Sequence, residues 1–131
     1  MGKLALADPE VVPAGRYASQ WLKKLGLWDK VRPKVVPTGD VRGALAAVES
    51  GNVDAAIVYK TDAQISNRIR VAFEVPRAEG PDIRYAVAQL REAPHPAAAR
   101  KLLDYLCGPE GARVFGRFGF LVLPAAGAGP R

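Results

Sequence analysis

An α/β fold built on a mainly parallel sheet is predicted by three observations. Apolar runs too short for helices alternate with amphipathic stretches of helical length, and glycines or prolines stand at the joins. The clearest unit is Asp40 to Asp62, DVRGALAAVESGNVDAAIVYKTD. There Val41, Ala44, Leu45 and Val48 recur at helical spacing, and Asp40 can cap the first turn. Gly51 stops the helix, and Val53 to Val58 reads as a strand buried on both faces. That strand delivers Tyr59, Lys60, Thr61 and Asp62 at its carboxyl end, the edge where ligands bind in open α/β sheets.

From the start of the chain, Lys3 to Ala7 reads as a strand ending at the turn Asp8-Pro9. A loop from Glu10 to Ala14 feeds a helix with Tyr17, Ala18, Trp21, Leu22 and Leu25 on one face, and Gly26 ends it. Val35-Val36, bracketed by Pro33 and Pro37, makes a short second strand. The order to Asp62 is β-α-β-α-β, and a three-layer sandwich with a parallel sheet accommodates it most simply. Beyond residue 68, Ile69 to Val75 and Ile83 to Leu90 read as strands that add mixed pairings, separated by the turn PRAEGPD. Pro96 opens a helix with Ala99, Leu102, Leu103 and Leu106 on one face. Gly108-Pro109 separates it from another carrying Val114, Phe115 and Phe118, which Gly119 closes. Phe120 to Leu123 reads as a last short strand, and residues 124–131, PAAGAGPR, as a mobile tail.

The 131 residues suffice for one domain with a core, and 49% hydrophobic content is ordinary for a globular chain. A net charge of +6 favours anions, from oxyanions to polyanions. The basic residues are dispersed, however, without the aromatic interleaving of single-strand binders, so nucleic acid is not an expected partner. Cys107 is the only cysteine, which excludes an internal disulfide and a cysteine metal site, and its apolar neighbours Leu103 and Leu106 predict burial. No apolar run approaches the roughly 20 residues needed to span a bilayer. Asp8 comes too early for a signal-peptide core, so the chain as it stands is expected to carry no export signal.

Catalysis is not expected. Asp8, Asp54 and Asp62 lack a general-base partner and read as turn or cap residues. Ser19, Ser50 and Ser66 lack nucleophile-elbow context, and the lone His95 sits in a loop between prolines. Arg68, Arg70, Arg77 and Arg84 read as exposed. No metal or cofactor motif is present. What remains is a convergence on one sheet edge: the helix starts at Val12-Pro13-Ala14-Gly15 and Gly39-Asp40-Val41, together with Tyr59. Unpaired amides and one hydroxyl, with no acceptor among them, suit a fully deprotonated oxyanion.

Three segments carry a resemblance to a known family: LALADPEVVPAGRYASQWLKKLGLWD, DVRGALAAVESGNVDAAIVYKTDA and DYLCGPEGARVFGRFGF. They resemble the periplasmic molybdate-binding proteins of molybdate ABC transporters, which are type II periplasmic binding proteins. The resemblance implies a two-lobed protein that closes around a tetrahedral oxyanion, molybdate or tungstate, and works with a transporter permease in the periplasm. In the lobe that resembles this chain, two backbone amides and a tyrosine hydroxyl hold the ligand. These fall on Ala14 in VPAG, Val41 in DVRGAL and Tyr59 in IVYKTDA.

Family members are nearly twice as long, so the resemblance implies an N-terminally truncated form lacking most of the first lobe. Residues 1–82 would be the second-lobe core, and residues 83–123 a strand and helices that return to the first lobe. Their uncovered apolar residues predict a homodimer. A different reading is a cytoplasmic oxyanion sensor or interaction module that keeps the fold without transport. An enzyme acting on an anionic substrate is weaker still, because no acid and base are paired.

Overall fold

The computed structural model describes residues 2–122. The chain divides into two compact units, Met1–Asp82 and Ile83–Arg131. In the first, β1 (Leu4–Ala7) lies between β2 (Val35–Thr38) and β3 (Ala55–Ile57), and both pairings are parallel. The register sets Ala7 beside Thr38 and Leu6 beside Ile57, so all three carboxyl ends share one edge. Parallel neighbours need crossovers, and α1 (Pro13–Lys24) and α3 (Val41–Glu49) lie in the two connections.

All four residues of β1 are buried, as required of a strand covered on both faces. Ala5 packs with Ala44 of α3 and with Val53, and Val36, Ala47, Val48, Ala56 and Val58 surround them. By the period of two, Leu4 and Leu6 face away from Ala5. The other helix packed on β1, α1, buries Ala18 and Leu22. The doubly covered strand is therefore β1, whereas the sequence pattern assigned that place to Val53 to Val58. Only Ala55–Ile57 forms a strand there, half-buried at the edge of the sheet. Pro37 is tolerated within β2 because β2 is the other edge strand.

The helix stops are those expected. Gly26, Gly51 and Gly119 have φ of 67°, 74° and 84°, the left-handed conformation that ends a helix without steric cost. In each case the next amide reaches back to close the motif: Leu27 to the Leu22 carbonyl, Asn52 to Ala47 and Phe120 to Phe115. The periodicity did not reveal α2 (Trp28–Val31) with the 3-10 turn Arg32–Lys34, nor the single turn α4 (Lys60–Ala63).

The strands expected at Ile69 to Val75 and Ile83 to Leu90 are not formed. Both stretches have strand composition, but a strand exists only as part of a ladder, and no neighbouring strand pairs with either among the described residues. Residues 69–82 instead run irregularly. Phe73 stacks on Trp21 of α1 at 6.0 Å, Lys24 donates to the Glu79 carbonyl at 3.0 Å, and Lys60 pairs with Glu74 at 2.7 Å. Trp21 Nε1 is buried without a hydrogen-bond partner.

The second unit contains α5 (Pro96–Cys107) and α6 (Pro109–Arg117), with Gly108 between them. A Cβ on Gly111 would lie 2.3 Å from the Leu106 carbonyl oxygen, so a side chain there is excluded. Tyr85 and Phe115 both meet the Phe120 ring edge to face, at 5.7 and 5.6 Å. Leu102, Phe115 and Phe118 are exposed, and Leu103 and Leu106 half-buried. Cys107 is exposed rather than buried, because that side of α5 is not covered within the unit. Of the expected strand Phe120 to Leu123, residues 120–122 are irregular, while Leu123 and residues 124–131 lie outside the described residues.

Candidate anion site at the carboxyl edge of the sheet

The turn after β1 is tied down at several points. The Asp8 amide donates to the Thr38 carbonyl at 2.9 Å, joining the ends of β1 and β2. The Asp8 carbonyl accepts from Val12 at 2.8 Å, its Oδ1 accepts from the Glu10 amide at 2.9 Å, and Arg16 Nη2 donates to the Glu10 carbonyl at 2.7 Å. Asp8 is thus a turn residue, as expected. Helix α1 then begins with Val12 as N-cap, no side-chain cap and Pro13 in its first turn. Ala14 and Gly15 follow, in the turn where the helix offers its amides no carbonyl partner.

The next connection ends in a conventional cap. Thr38 Oγ1 donates to the Asp40 carbonyl at 2.8 Å, and Asp40 Oδ1 accepts from the Gly43 amide at 2.7 Å. This is the capping role read for Asp40 from the sequence. It occupies one first-turn amide of α3 and leaves those of Val41 and Arg42 outside the cap.

Between these two turns lies a depression of about 380 Å³, lined by Asp8, Val11, Val12, Pro37, Thr38 and Gly39. Ala14 and Val41 each follow that lining by two residues, one at the start of α1 and one at the start of α3. Tyr59 is not in the lining. It follows β3 on the same edge, half-buried, as the N-cap of α4, and its carbonyl accepts from the Asp62 and Ala63 amides at 3.0 and 3.1 Å. The lining also includes Asp8, a residue with a carboxylate acceptor that the sequence reading left out of the site.

A second link was not legible in the sequence. Arg42 Nε lies 2.8 Å from Asp62 Oδ1, with Asp62 buried and Arg42 largely exposed. Asp62 is therefore more than a turn residue. Asp54 is also engaged, since its Oδ2 accepts from the Gly2 and Lys3 amides at 2.7 Å each. The Lys3 and then the Gly2 amide hold its carboxyl below the usual value. The hydroxyls of Ser19 and Ser50 donate to carbonyls of their own helices, and Ser66 donates to Glu49. Among the described residues no group of three or more His, Cys, Asp or Glu could hold a metal ion. No described helix is long and apolar enough to cross a membrane.

Comparison with known proteins places the chain in a family. The family model described as bacterial extracellular solute-binding protein matches residues 1–121. The molybdate-binding protein ModA of Escherichia coli (strain K12) is 44% identical over 121 residues, covering 92% of this chain and 47% of that protein. ModA of Haemophilus influenzae (strain ATCC 51907 / DSM 11121 / KW20 / Rd) is 38% identical over 117 residues, 89% of this chain and 46% of the relative. Among solved structures, a substrate-binding domain from Clostridium difficile assigned to a molybdenum ABC transporter superposes with a TM-score of 0.82 at 34% identity. That match covers 93% of this chain and 53% of that one. The chain spans about half the length of the relatives it matches. With its parallel α/β core and a match over nearly its whole length, the chain belongs to the bacterial extracellular solute-binding protein family.

Proposed function

We propose that this chain is a lobe of the substrate-binding component of an ABC importer for molybdate or tungstate. The Ala14 and Val41 amides and the Tyr59 hydroxyl are its ligand donors. The observation that carries the reading is the pair of helix starts flanking one depression at the carboxyl edge, where two positive helix ends converge. The relatives are molybdate-binding proteins. In this reading the protein acts outside the cytoplasmic membrane, hands its ligand to a permease and carries out no catalysis.

The selectivity follows from the donors. Molybdate and tungstate are acceptor-only dianions at neutral pH, whereas phosphate carries a proton that these three donors leave unpaired, at a cost of about 1–3 kcal/mol when buried away from any acceptor. Sulfate has the same charge as molybdate and is refused by its smaller radius, which demands fixed spacing between donors. The remaining donors come from a facing lobe. The exposed apolar residues of the second unit, Leu102, Phe115 and Phe118 among them, are covered by a second copy of the chain. Isothermal titration with molybdate tests the reading, with sulfate and phosphate as controls. Saturable heat for molybdate alone is expected, and equal response to all three anions, or to none, would overturn it.

A further inference from the structure

One ion pair ties the first turn of α3 to the turn that follows β3. Arg42 is the residue after Val41, Asp62 comes three residues after Tyr59, and Arg42 Nε stands 2.8 Å from Asp62 Oδ1. The two partners are unequal, with the arginine side chain 67% exposed and the aspartate 9%. A pair between two solvated side chains would hold little, but here one charge is buried, and loss of its partner leaves it uncompensated. Asp62 is also fixed through its backbone, its amide donating to the Tyr59 carbonyl at 3.0 Å. Whatever holds the Asp62 carboxylate therefore holds the turn that Tyr59 begins.

We propose that the Arg42–Asp62 pair is a brace that sets the spacing between the Val41 amide and the Tyr59 hydroxyl, and thereby the size of anion the site accepts. The proposal rests on the reading of Val41 and Tyr59 as ligands. Both paired residues are positioning residues and neither touches the anion. The pair suits that task because it is neutral as a unit. A lone arginine beside the site would draw in molybdate and sulfate alike, since they carry equal charge, whereas a neutral brace leaves discrimination to distance. With Nε on the carboxylate and Asp62 enclosed, the planar guanidinium also restricts the direction of approach, which a flexible lysine ammonium would not.

The test uses the full chain and the variants Arg42→Gln, Arg42→Lys, Asp62→Asn and the double Arg42→Gln/Asp62→Asn. Amide hydrogen exchange is read at Asp62 and Ala63, which bond the Tyr59 carbonyl. Arg42→Gln is expected to accelerate exchange there at least tenfold while the amides of β1 are unchanged. Arg42→Lys recovers part of the protection, and the double variant is no worse than Arg42→Gln. In parallel titrations, the preference for molybdate over sulfate falls at least fivefold in Arg42→Gln. Because Arg42 is exposed, this variant remains informative if Asp62→Asn fails to fold. A parent chain that takes up no molybdate overturns the ligand assignment and the selectivity role with it. A parent that binds, with unchanged exchange and unchanged preference in Arg42→Gln, overturns the brace alone.

Discussion

Gly15 rests directly on the carbonyl of Ala7: a Cβ built on Gly15 would lie 1.9 Å from that oxygen and 2.8 Å from the Asp8 carbonyl carbon. The obstruction is backbone on both counts, so no rotamer relieves it. This contact sets how closely the start of α1 approaches the end of β1, and with it the place of the Ala14 amide. Gly15→Ala should therefore destabilise the chain by about 1–3 kcal/mol through overpacking, read as a lowered midpoint in urea. It should also weaken molybdate binding under conditions where the variant is still folded.

Tyr59→Phe removes one donor to a charged ligand and little packing. A hydrogen bond to a charged group contributes about 1.5–3 kcal/mol, so molybdate affinity should fall roughly tenfold to a hundredfold. Unchanged affinity by titration would remove Tyr59 from the site.

Asp8 is an acidic residue in the lining of the depression proposed to take an anion. Asn at this position can still accept from the Glu10 amide, so the turn is kept while the charge is lost. At a separation on the order of 6 Å in a water-like dielectric, the repulsion removed between one carboxylate and a dianion is about 1.4 kcal/mol. Asp8→Asn should accordingly tighten molybdate up to roughly tenfold at low salt, with the gain shrinking as salt is added. A loss of affinity would place the anion elsewhere.

Asp54 links pH to stability. The Lys3 and Gly2 amides lower its carboxyl pKa in the folded chain below the ordinary 3.8, so the folded state favours the ionised form. The contribution is thus fully present above the unfolded value and is lost as pH falls through the lowered folded value. Melting temperatures of the parent and Asp54→Asn should differ near neutral pH and converge in acid below about pH 4. A difference that persists at low pH would show that the aspartate acts by shape alone.

Multi-angle light scattering decides how the second unit is covered. With Leu102, Phe115 and Phe118 exposed, the chain is expected to run as a dimer, and Phe118→Asp to shift it toward monomer. A monodisperse monomer of the parent at high concentration would reject the second copy as the cover.

What was legible in the sequence was local. The Asp40 cap, the stops at Gly26, Gly51 and Gly119 and the periodic faces of α1 and α3 all depend on neighbours within a few positions, and the structure has them where the pattern indicated, except that Leu25, expected on the α1 face, is the exposed C-cap just past the helix. Relationships across the sheet were not legible. Whether Val53 to Val58 lies at the centre or the edge depends on strand order, and composition is similar in both places. Ile69 to Val75 has the residues of a strand but no ladder to join. The Arg42–Asp62 pair spans two elements whose separation along the chain has no period. For the candidate site, a fold rule about sheet edges located the two helix starts, yet the place of Asp8 in the lining emerged only with the geometry.

The central position of β1 bears on how the molecule is assembled. Leu4–Ala7 precedes both of its neighbours, which lie roughly thirty and fifty residues further along the chain. Until both arrive, an entirely apolar segment waits without partners, so folding is governed by closure of long loops. Deleting Leu4–Ala7 would remove the axis of the sheet, while deleting Ala55–Ile57 would remove only a margin. A folding intermediate with β1 and β2 paired and β3 still free is therefore the species to look for when the chain is refolded from denaturant, and its open flank is where misassembly would begin.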